Sequence, residues 1–110
     1  MKKLHLALTT VDLARSVEDY SERLGCRPAV VIGEDYALWR TDSLNLSLRR
    51  DPDSPAGQLR HLGWEDPAAP GFSSDIDVNG IVWERFSADE QAAEIEAVWP
   101  GSGYRPDSSS

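Results

Sequence analysis

The chain has 110 residues, of which 40% are hydrophobic, and a formal net charge of −8 at pH 7. This length suits one compact domain with a single core and is short for two. The negative charge argues against a protein that binds nucleic acid by neutralising phosphates, and no apolar run is long enough to span a membrane. Cys26 is the single cysteine, so no internal disulfide can form, and we expect a cytoplasmic protein without a signal segment.

The first half of the chain predicts a strand, a helix and three further strands. Residues 3–10 alternate apolar with small or polar side chains, as a half-buried strand does. Asp12 is typical of a helix N-cap and Gly25 of a C-cap, and apolar residues recur between them every three or four positions. Three strands separated by short turns follow at residues 29–32, 36–41 and 44–49.

The second half predicts three more strands and one helix. The strands are expected at residues 60–65, 72–76 and 81–86, with a proline-rich connection after the first and an Asn-Gly turn before the last. Ser87 and Glu90 form a capping-box pattern, which predicts a helix over residues 88–98. We therefore expect an α+β domain over residues 1–101, followed by a mobile tail over residues 102–110.

Two histidines and one glutamate fall on strand faces suited to a metal site. His5 lies opposite three leucines in its strand, and His61 lies opposite Leu62 and Trp64, which we interpret as core. Glu84 lies in a third strand, where both imidazoles could meet it. Two neutral imidazoles and a carboxylate are the ligand set of a mononuclear metal site. The alternative is that both histidines are hydrogen-bonded structural residues.

Three motifs occur in a fixed order along this chain. They are the histidine of the first strand, the helix that opens at Val11-Asp12-Leu13-Ala14-Arg15-Ser16 and closes at Leu24-Gly25, and the run Asp77-Val78-Asn79-Gly80-Ile81-Val82-Trp83-Glu84. This combination resembles the vicinal oxygen chelate superfamily of glyoxalases, bleomycin-resistance proteins and extradiol dioxygenases. Residues 44–48 and 57–65, with their His-Leu-Gly run, are similar to its cadmium-induced and organoarsenical lyase branch. The resemblance covers roughly residues 3–87.

The resemblance implies a cupped sheet made of two βαβββ modules. The first module would span residues 3–50, the second would be shortened to residues 57–87, and a C-terminal helix would follow at 88–99. By match to the family, His5, His61 and Glu84 are the metal ligands. This set with open positions favours Fe(II), with Mn, Ni, Co or Zn as alternatives.

The second module is too short to hold the helix and the further strand that the family places there. Only 22 residues separate His61 from Glu84, and Pro67 and Pro70 oppose a helix. Either the helix at 88–98 or a second subunit would complete the cup. Exposed strand edges favour the homodimer. The arsenical branch holds its substrate with a cysteine pair, which this chain lacks, so that substrate class is not implied.

Further side chains are candidates for a site around the metal. Glu65 shares a strand face with His61 and is a candidate general acid or base, with a solvated strand-end residue as the alternative. Arg49 and Arg50 could attract an anion, although paired arginines before a loop usually face water. Four residues are candidates to line a ligand cavity, with ordinary packing as the alternative: Trp39, Asn45, Ser47 and Phe86.

Three functions are compatible with these residues. The first is a metal-dependent enzyme, a dioxygenase or a lyase, acting on a small substrate with two adjacent oxygens. The second is a metal-free binding protein of the bleomycin-resistance type, and the third is a degenerate dimeric member without activity. The substrate and the reaction stay open at this point.

Overall fold

The computed structural model describes residues 1–106 and shows a mixed sheet of seven strands with two helices. The strand order across the sheet is β2-β3-β4-β1-β5-β7-β6, which confirms the predicted α+β class. Among residues 1–106, no helix has the length and apolar character needed to cross a membrane. The elements are β1 (Lys3–Thr10), α1 (Leu13–Leu24), β2 (Val30–Ile32), β3 (Tyr36–Arg40), β4 (Leu44–Arg50), β5 (Leu59–Glu65), β6 (Ser73–Ile76), β7 (Val82–Phe86) and α2 (Ala88–Val98).

Two parallel strand pairs divide the sheet into one complete and one shortened module. β1 pairs in parallel with β4, and the chain between them forms α1, β2 and β3. β5 pairs in parallel with β7, but the chain between them forms only β6. The antiparallel pairing of β1 with β5 joins the two modules at the middle of the sheet. The predicted βαβββ module and shortened second module are both present.

Helix α1 forms the apolar core on one face of the sheet, which we call the α1 face. Asp12 caps the helix by accepting a hydrogen bond from the amide of Arg15 at 3.1 Å, and Gly25 ends it with a φ of 75°. A left-handed φ of this kind suits glycine, which has no Cβ to clash. The core on this face comprises Leu13, Val17, Ala37, Trp39, Leu46 and Leu48.

Helix α2 covers the opposite face of the sheet, which we call the cavity face. Both capping-box hydrogen bonds are present, from the Glu90 amide to the Ser87 hydroxyl and from the Ser87 amide to the Glu90 carboxylate. Ile95 packs on Tyr36 and Leu38 of β3. A helix of the same chain therefore covers the inside of the cup, where it packs on a strand of the first module and not in the place of the helix missing from the second.

Part of the segment predicted to be a mobile tail is packed against this helix. Tyr104 contacts the apolar cluster around Ile95, and Glu96 accepts hydrogen bonds from Ser102 and from the amide of Gly103. The prediction underestimated what this segment could bury. Residues 107–110 of the predicted tail lie outside the described residues.

The α1 face of the second module has no helix of its own. Trp64, predicted to be core, keeps 37% of its surface exposed, and Lys2 lies over its ring at 5.6 Å. All four residues of β6 are exposed, and Ile76 at its end is 68% exposed. The core prediction for Trp64 is wrong because the chain that would form a covering helix is missing between β5 and β6.

We predict that Gly63→Ala destabilises the sheet by about 1–3 kcal/mol, which a urea denaturation curve measures. A Cβ at this position would clash with the carbonyl oxygen of Glu84 and lie 3.0 Å from its carbonyl carbon, so β5 and β7 would have to separate. Gly71→Ala is the matched control, because a Cβ there meets only the Glu90 carboxylate at 3.7 Å. Equal stability of the two variants would contradict the prediction.

Candidate metal centre

Strand register brings the chemistry-bearing side chains of the cavity face into two neighbouring rows. The first row runs across five strands and contains Arg40, Asn45, His5, Gly63 and Glu84, each paired with the next. In the second row, Ala7 of β1 lies between Ser47 and His61. Because side chains two residues apart on a strand share a face, all these residues belong to one face of the sheet.

His5, His61 and Glu84 bring their donor atoms together as the sequence predicted. The Nε2 atoms of the two histidines are 3.0 Å apart, and His61 Nε2 is 3.0 Å from Glu84 Oε1. One donor atom from each residue lies within 4.8 Å of the other two. Donors that bind an ion at about 2.1 Å and at right angles lie about 3.0 Å apart, so these atoms fit a divalent ion.

Asn45 fixes which nitrogen of His5 faces the other two donors. Its Nδ2 group donates to Glu65 Oε1 and to Gln91 Oε1, each at 2.8 Å. The Oδ1 atom is therefore the acceptor that lies 2.9 Å from His5 Nδ1. His5 Nδ1 carries the proton, and Nε2 presents its lone pair towards His61 and Glu84, as metal-binding histidines do.

Glu65 is the anchor of this hydrogen-bond chain. Arg40 donates to both of its oxygens at 2.8 Å, and the two side chains are only 8% and 5% exposed. Burial raises the pKa of Glu65, but the hydrogen bonds from Arg40 and Asn45 outweigh it and leave the pKa below the usual value. Its predicted role as a general acid or base stays a prediction, and these contacts favour a structural role, because the carboxylate is held in an ion pair and does not line the cavity.

A cavity of about 140 Å³ opens beside the three donor residues. Ser47 and Phe86 line it as predicted, and the Phe86 ring meets the His5 ring edge-on at 5.0 Å. Asn45 is fully buried behind His5 and does not line the cavity. The lining residues are His5, Tyr36, Ser47, Arg49, Arg60, His61, Glu84, Phe86, Gln91, Glu94, Ile95, Val98 and Trp99.

The prediction that Trp39 lines the cavity is wrong. Its indole lies in the core on the α1 face, where Nε1 donates to the Ser21 hydroxyl at 3.4 Å. Successive residues of β3 point to opposite faces, and Leu38 is packed against α2. The sequence pattern separated the two faces of β3 but did not show which of them holds the cavity.

Several residues of the site were not predicted from the sequence. Gln91 lies one helical turn before Ile95, so the helical period already placed both on one side of α2. Tyr36 and Arg40 share a face of β3 by simple alternation. Arg60 gave no such signal, because alternation places it opposite His61.

Burial lowers the pKa of His5 and raises that of Tyr36. For His5, the loss of water around the ring outweighs the hydrogen bond from its Nδ1 group to Asn45, so the pKa falls below 6.5. For Tyr36, loss of water dominates over its hydrogen bond with Ser47 and raises the pKa of the phenol. The cavity therefore holds a neutral imidazole, as a metal ligand must be, and a neutral hydroxyl.

No protein-family model matches the chain, and no curated protein matches it. Among solved structures, the chain is similar to the NAD-dependent benzaldehyde dehydrogenase from Legionella pneumophila, with a TM-score of 0.53 and 12% identity. The match covers 76% of this chain and 97% of that chain. At this identity, the likeness concerns the fold and carries no conclusion about activity.

We predict that the metal-free protein loses stability as the pH falls from about 7.5 to about 5.5. In the unfolded chain His5 takes up a proton near pH 6.5, whereas its lowered pKa keeps it neutral in the fold. The unfolded state then binds more protons, so the free energy of unfolding decreases. Urea denaturation across this range measures the effect. The slope should be weaker in His5→Gln, and an unchanged slope would contradict the assignment.

We predict that Glu65→Gln weakens divalent metal binding by about 10–100-fold. Mutations of residues that orient a metal-binding histidine have effects of this size. Glutamine has one side-chain oxygen where glutamate has two, so it cannot accept the hydrogen bonds of both Arg40 and Asn45. Asn45 is then no longer fixed, and His5 loses its orientation. Competition titration with a chromogenic chelator measures the affinity. Glu18→Gln is the control, because its ion pair with Arg27 is exposed. Equal affinities in the two variants would rule out this role of Glu65.

Proposed function

We propose that the protein is a metal-dependent enzyme of the glyoxalase and dioxygenase superfamily acting on a small substrate with adjacent oxygens. The observation that carries the proposal is the convergence of His5, His61 and Glu84 from three separate strands. Two imidazoles and one carboxylate that leave the remaining positions open suit Fe(II) best, with Mn, Ni, Co or Zn as alternatives. The activity proposed is that of a dioxygenase or a lyase.

The surroundings of the three residues support a metal site over a hydrogen-bonded pair of structural histidines. With the His5 proton on Nδ1, only one hydrogen is available between the two Nε2 atoms and Glu84 Oε1. Two short contacts join three electron-rich atoms, but only one proton is available to form a hydrogen bond between them. One of the contacts is therefore unsatisfied, which is unfavourable for partly buried groups. A cation satisfies all three atoms at once.

The strand arrangement supports the assignment to the superfamily. His5 lies in the first strand of a complete βαβββ module, and His61 and Glu84 lie in the first and last strands of the shortened one. These strands are the neighbours β1, β5 and β7 at the middle of the sheet. The motifs that carry the resemblance thus meet at one place.

The side chains around the centre have separate tasks in this proposal. A bound ion would supply a Lewis acid and a template for two adjacent substrate oxygens. His5, His61 and Glu84 hold the ion, and Asn45 keeps the His5 lone pair directed at it. Phe86, together with Ile95 of α2, gives the cavity an apolar side that excludes water from the bound substrate.

The proposed homodimer is not required to close this cavity, because α2 of the same chain covers it. The proposal rests instead on the bare α1 face of the second module, with Trp64 37% exposed, and on the outer edge of β6, which pairs with no strand among residues 1–106. Exposed strand edges and apolar faces of this kind favour self-association. Light scattering of the purified protein gives the mass in solution.

We predict that protein purified without chelator holds about one divalent ion per chain and that His61→Ala loses most of it. Mutation of a residue that supports a ligand lowers the affinity by about 10–100-fold, and removal of the ligand itself should lower it further. Elemental analysis by mass spectrometry measures both, with Glu94→Gln as a control in the same cavity. Equal metal content in wild type and His61→Ala would refute the metal centre.

A thermal-shift screen separates the enzyme from the metal-free binding protein and from an inactive member. A ligand that binds only the folded state raises its stability, by about 2.7 kcal/mol at a concentration of 100 times the dissociation constant. Stabilisation by divalent metal supports the proposal. Stabilisation by organic cations in the presence of chelator supports a binding protein, and stabilisation by neither supports the inactive member.

A further inference from the structure

The cavity has a cationic side beyond the three donor residues. Arg49 of β4 and Arg60 of β5 both line it, and they come from strands on either side of β1. Arg49 pairs with Thr9 in the row next to that of Ser47 and His61. Rows two residues apart lie about 7 Å from each other along a strand. The distance between the two arginines and the donor residues is therefore about the length of one small molecule.

A β-bulge places Arg60 in this cavity. His61 pairs with Ala7, but the next pairing joins Leu59 to Leu8, so the register shifts at Arg60. Strict alternation would direct Arg60 to the face opposite His61, whereas both residues line the same cavity. Bulges next to functional sites commonly redirect a side chain in this way.

Arg49 is held at the cavity by Trp99, the C-cap residue of α2. Its guanidinium lies over the Trp99 ring at 5.3 Å, and its position on β4 is two residues after Ser47, on the same face. Stacking on an aromatic ring fixes the plane of a guanidinium while leaving its N–H groups free to donate at the edge.

Neither arginine forms an ion pair with a carboxylate within the part of the chain that the structure describes. Glu94 also lines the cavity, yet it pairs with neither of them. Asp51 attracts both guanidinium groups electrostatically but forms no ion pair with either, so both keep donor groups for a ligand. Their planar N–H pairs match the two oxygens of a carboxylate.

We propose that the substrate carries a carboxylate, which Arg49 and Arg60 bind while its two adjacent oxygens reach the His5, His61 and Glu84 centre. This inference rests on the proposed metal-dependent function and narrows its substrate class. The cavity of about 140 Å³ is close to a cavity of about 150 Å³ that binds benzene in another protein, so a one-ring or similarly small acid fits.

Three catechol probes test the carboxylate site in protein loaded anaerobically with Fe(II). Catechol, 2,3-dihydroxybenzoate and 3,4-dihydroxybenzoate share the same adjacent oxygens, and the last two add a carboxylate beside or across the ring from them. Isothermal titration calorimetry should show that at least one of the acids binds about tenfold more tightly than catechol. Arg60→Gln and Arg49→Gln should each reduce this preference and leave catechol binding unchanged, and Arg60→Lys should restore part of it.

The matched control is Arg15→Gln on the outer side of α1, which should keep the full preference. Equal affinity for all three probes, no binding of any probe by the Fe(II) protein, or a preference that survives both arginine variants would overturn the carboxylate site. The metal content of each titrated sample is measured in parallel. Failure of the wild type to hold Fe(II) or any of the alternative divalent metals would instead refute the proposed function itself, so the two failures are distinguishable.

Discussion

The register of β1 against β5, and of β5 against β7, is the constraint on which the site depends. His5 pairs with Gly63 and Gly63 with Glu84, so the strand between the two outer donors carries a residue without a side chain. A larger residue would fill the space and push β7 away through the Glu84 backbone. With glycine there, the His61 side chain from the next row occupies this space and contacts both His5 and Glu84. A register shift of one residue in either pairing would send a donor to the other face.

Buried polar groups hold the centre from behind. The ion pair of Arg40 with Glu65 is almost fully buried, and it determines how Asn45 is oriented and hence which nitrogen of His5 faces the cavity. Such a network is favourable only when all its members are satisfied, and here each of them has a partner. The same stretch of sheet therefore separates two tasks. Arg40, Glu65 and Asn45 fix the position of the His5 proton, and His5, His61 and Glu84 present their donor atoms to the cavity.

No helix lies between β5 and β7, and this affects both faces of the sheet. On the α1 face it leaves Trp64 partly exposed, so that an apolar surface remains where the first module has its core. On the cavity face, α2 compensates by packing Ile95 against β3 and by supplying Gln91 and Trp99 to the site. One helix thus covers the side of the cavity with the three donor residues, and its C-cap residue Trp99 lies against Arg49 on the other side.

The sequence by itself predicted the elements, and its resemblance to the superfamily singled out the three donor residues. Local signals decide these features: the Asp12 and Gly25 caps, the Ser87 capping box and the alternation that puts His5 and His61 opposite apolar faces. Which face of β3 holds the cavity, the pairing of Glu65 with Arg40 and the inward turn of Arg60 depended on strand neighbours distant in sequence. Only the tertiary structure decided them, because a bulge and a buried ion pair arise from pairing between strands, which the pattern within one strand does not contain.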